Sequence, residues 1–170
     1  LAGGLLHGWV ESSLRDTRVI AFTTIGFGLL LWWADARFSR NKPLSAMNMK
    51  SGLVIGLAQM LALVPGTSRS GITITMGRML GFDADSAARF SFLLSIPIIG
   101  AAGAYGVLRM ILNNAAIDWL QFGLAVGLSA LAGWLCIAAF LALLRRVGLV
   151  PFVIYRLALG VALFWFAYQT

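Results

Sequence analysis

Residues 63 to 75 read LVPGTSRSGITIT. Arg69 and the hydroxyls of Thr67, Ser68, Ser70, Thr73 and Thr75 stand here in the middle of a stretch whose flanks are apolar. Upstream, "SGLVIGLAQMLALV" offers about 14 residues, which as a helix rising 1.5 Å per residue reach about 21 Å into a hydrocarbon core of about 30 Å. Pro65, Gly66 and Gly71 then interrupt helical hydrogen bonding, and a second short run continues to Leu80. Neither run spans a bilayer alone. Irregular backbone at membrane depth is tolerated only where protein or a water-filled cavity satisfies it, so residues 51 to 80 read as a re-entrant helix-loop-helix hairpin.

The rest of the chain supplies the membrane context. Of its 170 residues 60% are hydrophobic and 11% charged, with a mean hydropathy of +0.89, against roughly 25% charged in soluble domains. Spanning-length apolar windows fall at about 19–34, 86–108, 119–144 and 152–168. These windows predict an all-α membrane protein, a polytopic helical bundle forming a single transmembrane domain over residues 1–170. The net charge of +7 comes from 13 basic and 6 acidic residues, and the basic ones sit in short clusters beside apolar runs. That pattern argues against a nucleic-acid partner. Cys136, the only cysteine, falls in an apolar run, so it forms no intrachain disulfide and is expected to be a small buried hydrophobe. Trp134, mid-segment, is expected to pack. The start at Leu1, with no signal-peptide pattern, suggests an internal fragment.

Charge bias gives an independent view of the hairpin. Arg37, Arg40, Lys42 and Lys50 follow the first span and Arg145 with Arg146 follow the third, whereas 109–118 carries one Arg and one Asp. The positive-inside rule places residues 36–50 and 145–151 in the cytoplasm and 109–118 outside. Segment 51–80 must then begin and end on the cytoplasmic side.

An arginine at membrane depth costs from about 2.5 to well over 10 kcal/mol unless it meets a partner or water. No acid lies between Lys50 and Gly81, so Arg69 needs a distant partner or a bound anion. Gly66 and Gly71 let the backbone turn its N–H groups inward, Thr67, Ser68, Ser70 and Thr73 add neutral donors, and a helix resuming near Gly71 presents its positive end. Together they describe a phosphate cradle, for which the planar guanidinium fork is better suited than an ammonium. Ser, Thr and Gly also serve packing in membrane helices; the Pro-Gly break and central Arg favour the anion reading.

"QMLALVPGTSRSGIT" followed by "AARFSFLLSIP" and the closing "PFVIYR" resembles the C-terminal half of the undecaprenyl-diphosphate phosphatase, or bacitracin-resistance, family. The resemblance implies one half of an inverted-topology repeat with two re-entrant hairpins. The implied enzyme is an integral phosphatase of the bacterial inner (plasma) membrane that removes the terminal phosphate of undecaprenyl diphosphate and recycles the lipid carrier for cell-wall synthesis. It implies that Arg69 is the essential phosphate-binding arginine, that Ser68, Ser70 and Thr73 are the polar residues around it, and that Gln59 stands where the first repeat carries an acidic motif. By that resemblance the paired glutamates, the nucleophilic serine and the histidine belong to an N-terminal half absent here. Mg²⁺ or Ca²⁺ would be held there too, with no metal ligand in this chain, and the half alone would be an incomplete enzyme. The partners implied are a polyprenyl diphosphate lipid, the membrane and the N-terminal half of the same protein, with a homodimer among the assemblies open to it.

The remaining polar residues read plainly. His7 precedes the first span in a polar stretch and reads as a loop residue; Asp83 with Asp85 fits a helix start, and Asp85 with Arg89 an i,i+4 pair. The competing class is an anion or polyprenyl-phosphate transporter, because re-entrant hairpins with a midplane anion site also describe secondary carriers. A structural membrane subunit would leave Arg69 unexplained.

Overall fold

A computed structural model describes residues 16–38, 42–113 and 118–169. His7 and the basic Arg40 of the sequence reading lie outside them. The described residues form six α-helices: α1 (Thr17–Arg37), α2 (Met49–Ala58), α3 (Arg69–Met79), α4 (Ala84–Leu112), α5 (Trp119–Val147) and α6 (Val150–Gln169). Short 3-10 turns occupy Leu44–Ala46 and Gln59–Leu63, and no strand forms among the described residues. Helices α1, α4, α5 and α6 are each long and apolar enough to cross a membrane. The chain is an all-α, multi-pass membrane protein.

Local sequence sets the helix ends. Asp16, Asn48, Asp83 and Asp118 each accept a backbone N–H of the first turn they precede, satisfying donors that a helix start leaves orphaned. Gly81, at φ 87°, closes α3: its own N–H donates to Arg78 O at 2.9 Å and that of Phe82 to Gly77 O at 3.1 Å. The expected i,i+4 pair forms, with Arg89 Nε 2.8 Å from Asp85 Oδ2, and Asp85 Oδ1 also takes Arg145 Nε from α5 at 2.9 Å.

Helices α1 and α6 pack along their length in opposite directions. Arg18 stacks over the Tyr168 ring at 5.5 Å, while Gly28 lies against Arg156 and Gly160 against Ile25 and Ala21. Small residues at these crossings let the two backbones approach closely. By contrast, α5 meets little but α4 and the segment at its own C-terminal end. Cys136 is therefore exposed on its outer face, and Trp134 is 67% exposed, so the expected burial of both is corrected. Each faces the space that lipid or another polypeptide would fill.

Segment 49–80 leaves one end of the molecule and returns to it. Lys42 pairs with Phe82 in an isolated bridge and its Nζ donates to Leu80 O at 2.9 Å, so the chain before α2 and after α3 is joined. The same end holds buried Arg78, whose Nε donates to Asp35 Oδ1 at 2.8 Å and whose Nη1 donates to Phe82 O at 2.7 Å. Phe82, Ala87, Leu144 and Leu149 share the core beside it. Residues 35, 78–85 and 144–149 thus gather at one end.

At 10 and 11 residues, α2 and α3 rise only about 15 to 17 Å each, so neither crosses. Between them, Gly66 rests on α1 beside Thr23, Thr24 and the carbonyl of Ile20. Thr23 and Thr24 lie about 17 Å along α1 from Asp35, close to half of a 30 Å hydrocarbon core.

Two expectations follow. In a Cys136→Ala background, cysteines at Ser45 and Arg146 should react with impermeant reagent from the same side of the membrane and one at Asn113 from the other; labelling of Ser45 and Arg146 from opposite sides would require segment 49–80 to cross. Gly66→Ala should lower the melting temperature in detergent, because φ 87° costs a side chain about 1 to 2 kcal/mol and the added Cβ would stand 2.6 Å from the Ile20 carbonyl oxygen, a backbone atom that cannot swing away. An unchanged transition would show that the loop does not seat on α1.

Candidate anion site

The site is built where the chain restarts as a helix. Pro65 holds the preceding Val64 extended, at ψ 120°, which ends the 3-10 turn, and Gly66 then turns at φ 87°. Ser68 caps α3, its Oγ accepting from Gly71 N at 3.2 Å, and does so at φ 66°, a left-handed conformation rare for a side chain other than Gly, Asn or Asp. Such strain persists only where surrounding structure holds it.

The first turn of α3 is rich in unused donors. The amides of Ser68, Arg69 and Ser70 form no hydrogen bond among the described residues. The Arg69 guanidinium is half-buried and has neither an ion pair nor a hydrogen bond among them. Its nearest designed surroundings are a cavity of about 200 Å³ lined by Arg69, Ser70, Ser91, Phe92 and Ser95. A second cavity, of about 170 Å³, opens on the other side of Ser70 and takes in Ser68, Gly71, Tyr155 and Arg156. A cation, free amides and hydroxyls at a positive helix end form an electrostatic seat for an anion.

Of the residues expected from sequence, Arg69, Ser68, Ser70 and Gly71 come together at these cavities, with Gly66 behind them on α1. Thr73 does not line them: its buried hydroxyl lies 2.7 Å from Ser91 Oγ on α4 and ties the two helices. Thr67 is fully buried, so its hydroxyl offers nothing to the cavities. Gln59 opens the 3-10 turn, half-buried, and lines neither cavity.

Sequence reasoning missed three contributors. Ser91 and Ser95 stand one turn apart on α4, a spacing that puts both on the face turned to α3. Arg156 projects from α6, and its Nη2 donates to the carbonyls of Gly66 and Thr67, each at 2.8 Å. The signal for Arg156 was available, since it is a lone charge inside an apolar run, the same criterion that singled out Arg69.

No group of three His, Cys, Asp or Glu side chains able to hold a metal forms among the described residues. Asp83 and Asp85 are taken up by the helix cap and the arginine pair. The residues at this site therefore do not fit a divalent cation.

Similarity to known proteins accords with this geometry. The chain is 51% identical over 168 residues to a protein of Alteromonas mediterranea named undecaprenyl-diphosphatase, with 99% of this chain and 63% of the relative aligned. Proteins of the same name from Chromohalobacter salexigens and Saccharophagus degradans are 55% and 52% identical, aligned over 95% and 98% of this chain and 61% and 64% of their own lengths. The chain thus spans somewhat less than two thirds of these relatives. The bacitracin resistance protein BacA family model matches residues 1–162, covering every element that builds the site, and the chain belongs to that family.

Proposed function

We propose that the full-length protein is a phosphatase that removes the terminal phosphate of undecaprenyl diphosphate at the inner membrane, recycling the lipid carrier for cell-wall synthesis. The observation that carries this reading is the Arg69 guanidinium, unpaired among the described residues, beside three amides at the start of α3 that donate to none of them. In phosphoryl transfer, charge spreads over the non-bridging oxygens, and preorganised donors in a site sheltered from water stabilise it without reorganising. Arg69 would engage two such oxygens through its fork, the Ser68 to Ser70 amides a third, and the Ser70 hydroxyl the bridging region. The helix-loop-helix of α2 and α3 would act as a re-entrant hairpin, bringing this seat to the depth where a headgroup drawn into the bilayer could reach it.

A lipid substrate is supported by what adjoins the seat. A groove of about 520 Å³, lined by Phe92, Leu93, Ile96, Ile99, Ile137 and Leu141 among others, shares Phe92 and Ser95 with the Arg69 cavity. A prenyl chain leaving the headgroup would meet hydrocarbon surface at once. The nucleophile, the proton carrier and any Mg²⁺ or Ca²⁺ ligands would come from outside the described residues, from the N-terminal part that the relatives contain. The relatives carry a hydrolase name, which favours hydrolysis over anion transport.

In the full-length protein, Arg69→Ala should lower phosphate release from undecaprenyl diphosphate at least about a hundredfold, and Arg69→Lys should recover little of it, since a point charge replaces a two-pronged donor. Turnover near that of the parent in folded Arg69→Ala would refute the assignment.

A further inference from the structure

The backbone of the anion loop is polarised. Every carbonyl from Val64 to Ser68 accepts a hydrogen bond: from Thr67 N at 3.3 Å, from Thr23 Oγ1 at 2.6 Å, from Arg156 Nη2 at 2.8 Å twice, and from Ile72 N at 3.0 Å. Thr24 Oγ1 adds a longer bond to Gly66 O, 3.3 Å. The amides of Ser68, Arg69 and Ser70, by contrast, donate to nothing among the described residues. With its oxygens taken up by α1, α6 and its own turn, the loop leaves the amides of Ser68, Arg69 and Ser70 as its unused groups, on residues that line the cavities.

The geometry points to Arg156 as the positioning residue that sets this polarity. This inference rests on the anion-site reading of Arg69. One nitrogen, Nη2, holds the peptide oxygens on either side of Thr67, and the second of these, Thr67 O, belongs to the peptide that enters the left-handed Ser68. Arg156 is nine-tenths buried and has no carboxylate partner among the described residues. Its Nη1 has no acceptor among the described residues and is packed against Gly71, where a Cβ would overlap it, so glycine at 71 is what allows the guanidinium to reach the loop. A side chain needed only for volume would be apolar here, since an uncompensated guanidinium costs more to bury than a hydrocarbon of similar size. Arg156 keeps its charge, and carbonyl dipoles satisfy it only in part. The remaining positive potential lies directly behind the first turn of α3, where it adds to that of Arg69. Arg69 thus contacts the ligand, while Arg156 acts through the loop.

The test uses the full-length protein with undecaprenyl diphosphate for turnover and inorganic diphosphate for calorimetric binding. Arg156→Ala should keep a normal elution profile and lose at least about thirtyfold in kcat/KM, and added guanidinium ion should restore a substantial part where the same concentration of sodium does not. Gly71→Ala should show a comparable loss although the charge is retained, because the added Cβ pushes the guanidinium off the two carbonyls. Folded Arg156→Ala within about threefold of the parent, or a loss that guanidinium leaves untouched, would overturn the proposal. If Arg156→Ala does not fold, Gly71→Ala decides, and parental kcat/KM in that variant overturns it. Should the parent protein release no phosphate at all, the phosphatase reading fails by itself. Positioning is then judged by diphosphate affinity: weaker binding in Arg156→Ala sustains it, and equal binding overturns it.

Discussion

A loop that interrupts a helix at the middle of a bilayer has no water to satisfy its peptide groups, and every one left unpaired costs several kcal/mol. For the loop at residues 64–68, at the depth proposed above, the pairing of peptide groups is asymmetric. Acceptors between Val64 and Ser68 are all paired within the protein, whereas the amides of Ser68, Arg69 and Ser70 donate to nothing among the described residues. The asymmetry explains why α1 and α6 pack so closely against each other, since the threonines of one and the arginine of the other must reach the same few carbonyls. It also explains the placement of Gly66, Gly71 and Gly160, each at a point where a side chain would crowd those parts.

How much of this could be read from residues alone depended on whether the signal was local. The four spanning helices, the break at Pro65-Gly66 and the pair Asp85–Arg89 depend on composition, length or i,i+4 spacing, and all were legible. Arg69 stood out because no acid shares its segment. Thr23 and Thr24 did not, because their role rests on contacts across 42 positions in sequence, which no periodicity encodes; Arg156 was visible as a lone charge in an apolar run, but its loop partners were not. Thr73 was expected among the anion donors because it lies within the polar run; its position one turn into α3 turns its hydroxyl to Ser91 instead. Cys136 and Trp134 were misjudged for another reason. In a bilayer protein, apolar character does not indicate burial, since lipid is as suitable a neighbour as protein.

Two arginines near the loop illustrate how context sorts identical side chains. Arg78, at the end where the hairpin returns, is fully buried and neutralised by Asp35, and serves to fasten α3 to α1. Arg69, nine residues before Arg78 on the same helix, is left without a counter-charge among the described residues. An ion pair at Arg69 would occupy the seat proposed for an anion.

The lengths of α4 and α5 carry one more consequence. Each has 29 residues and so extends about 44 Å, well beyond a hydrocarbon layer of about 30 Å. An upright helix of that length would leave more than two turns outside the layer, and α5, apolar nearly to Arg145, would leave hydrocarbon surface in water. Hydrophobic mismatch is relieved by leaning, and for a rod of this length the geometry allows up to about 45°. An apolar groove between two leaning helices would lean with them. A long flexible lipid tail would then run obliquely across the layer rather than parallel to its neighbours, and the thickness of the surrounding bilayer becomes a variable that acts on the groove's inclination.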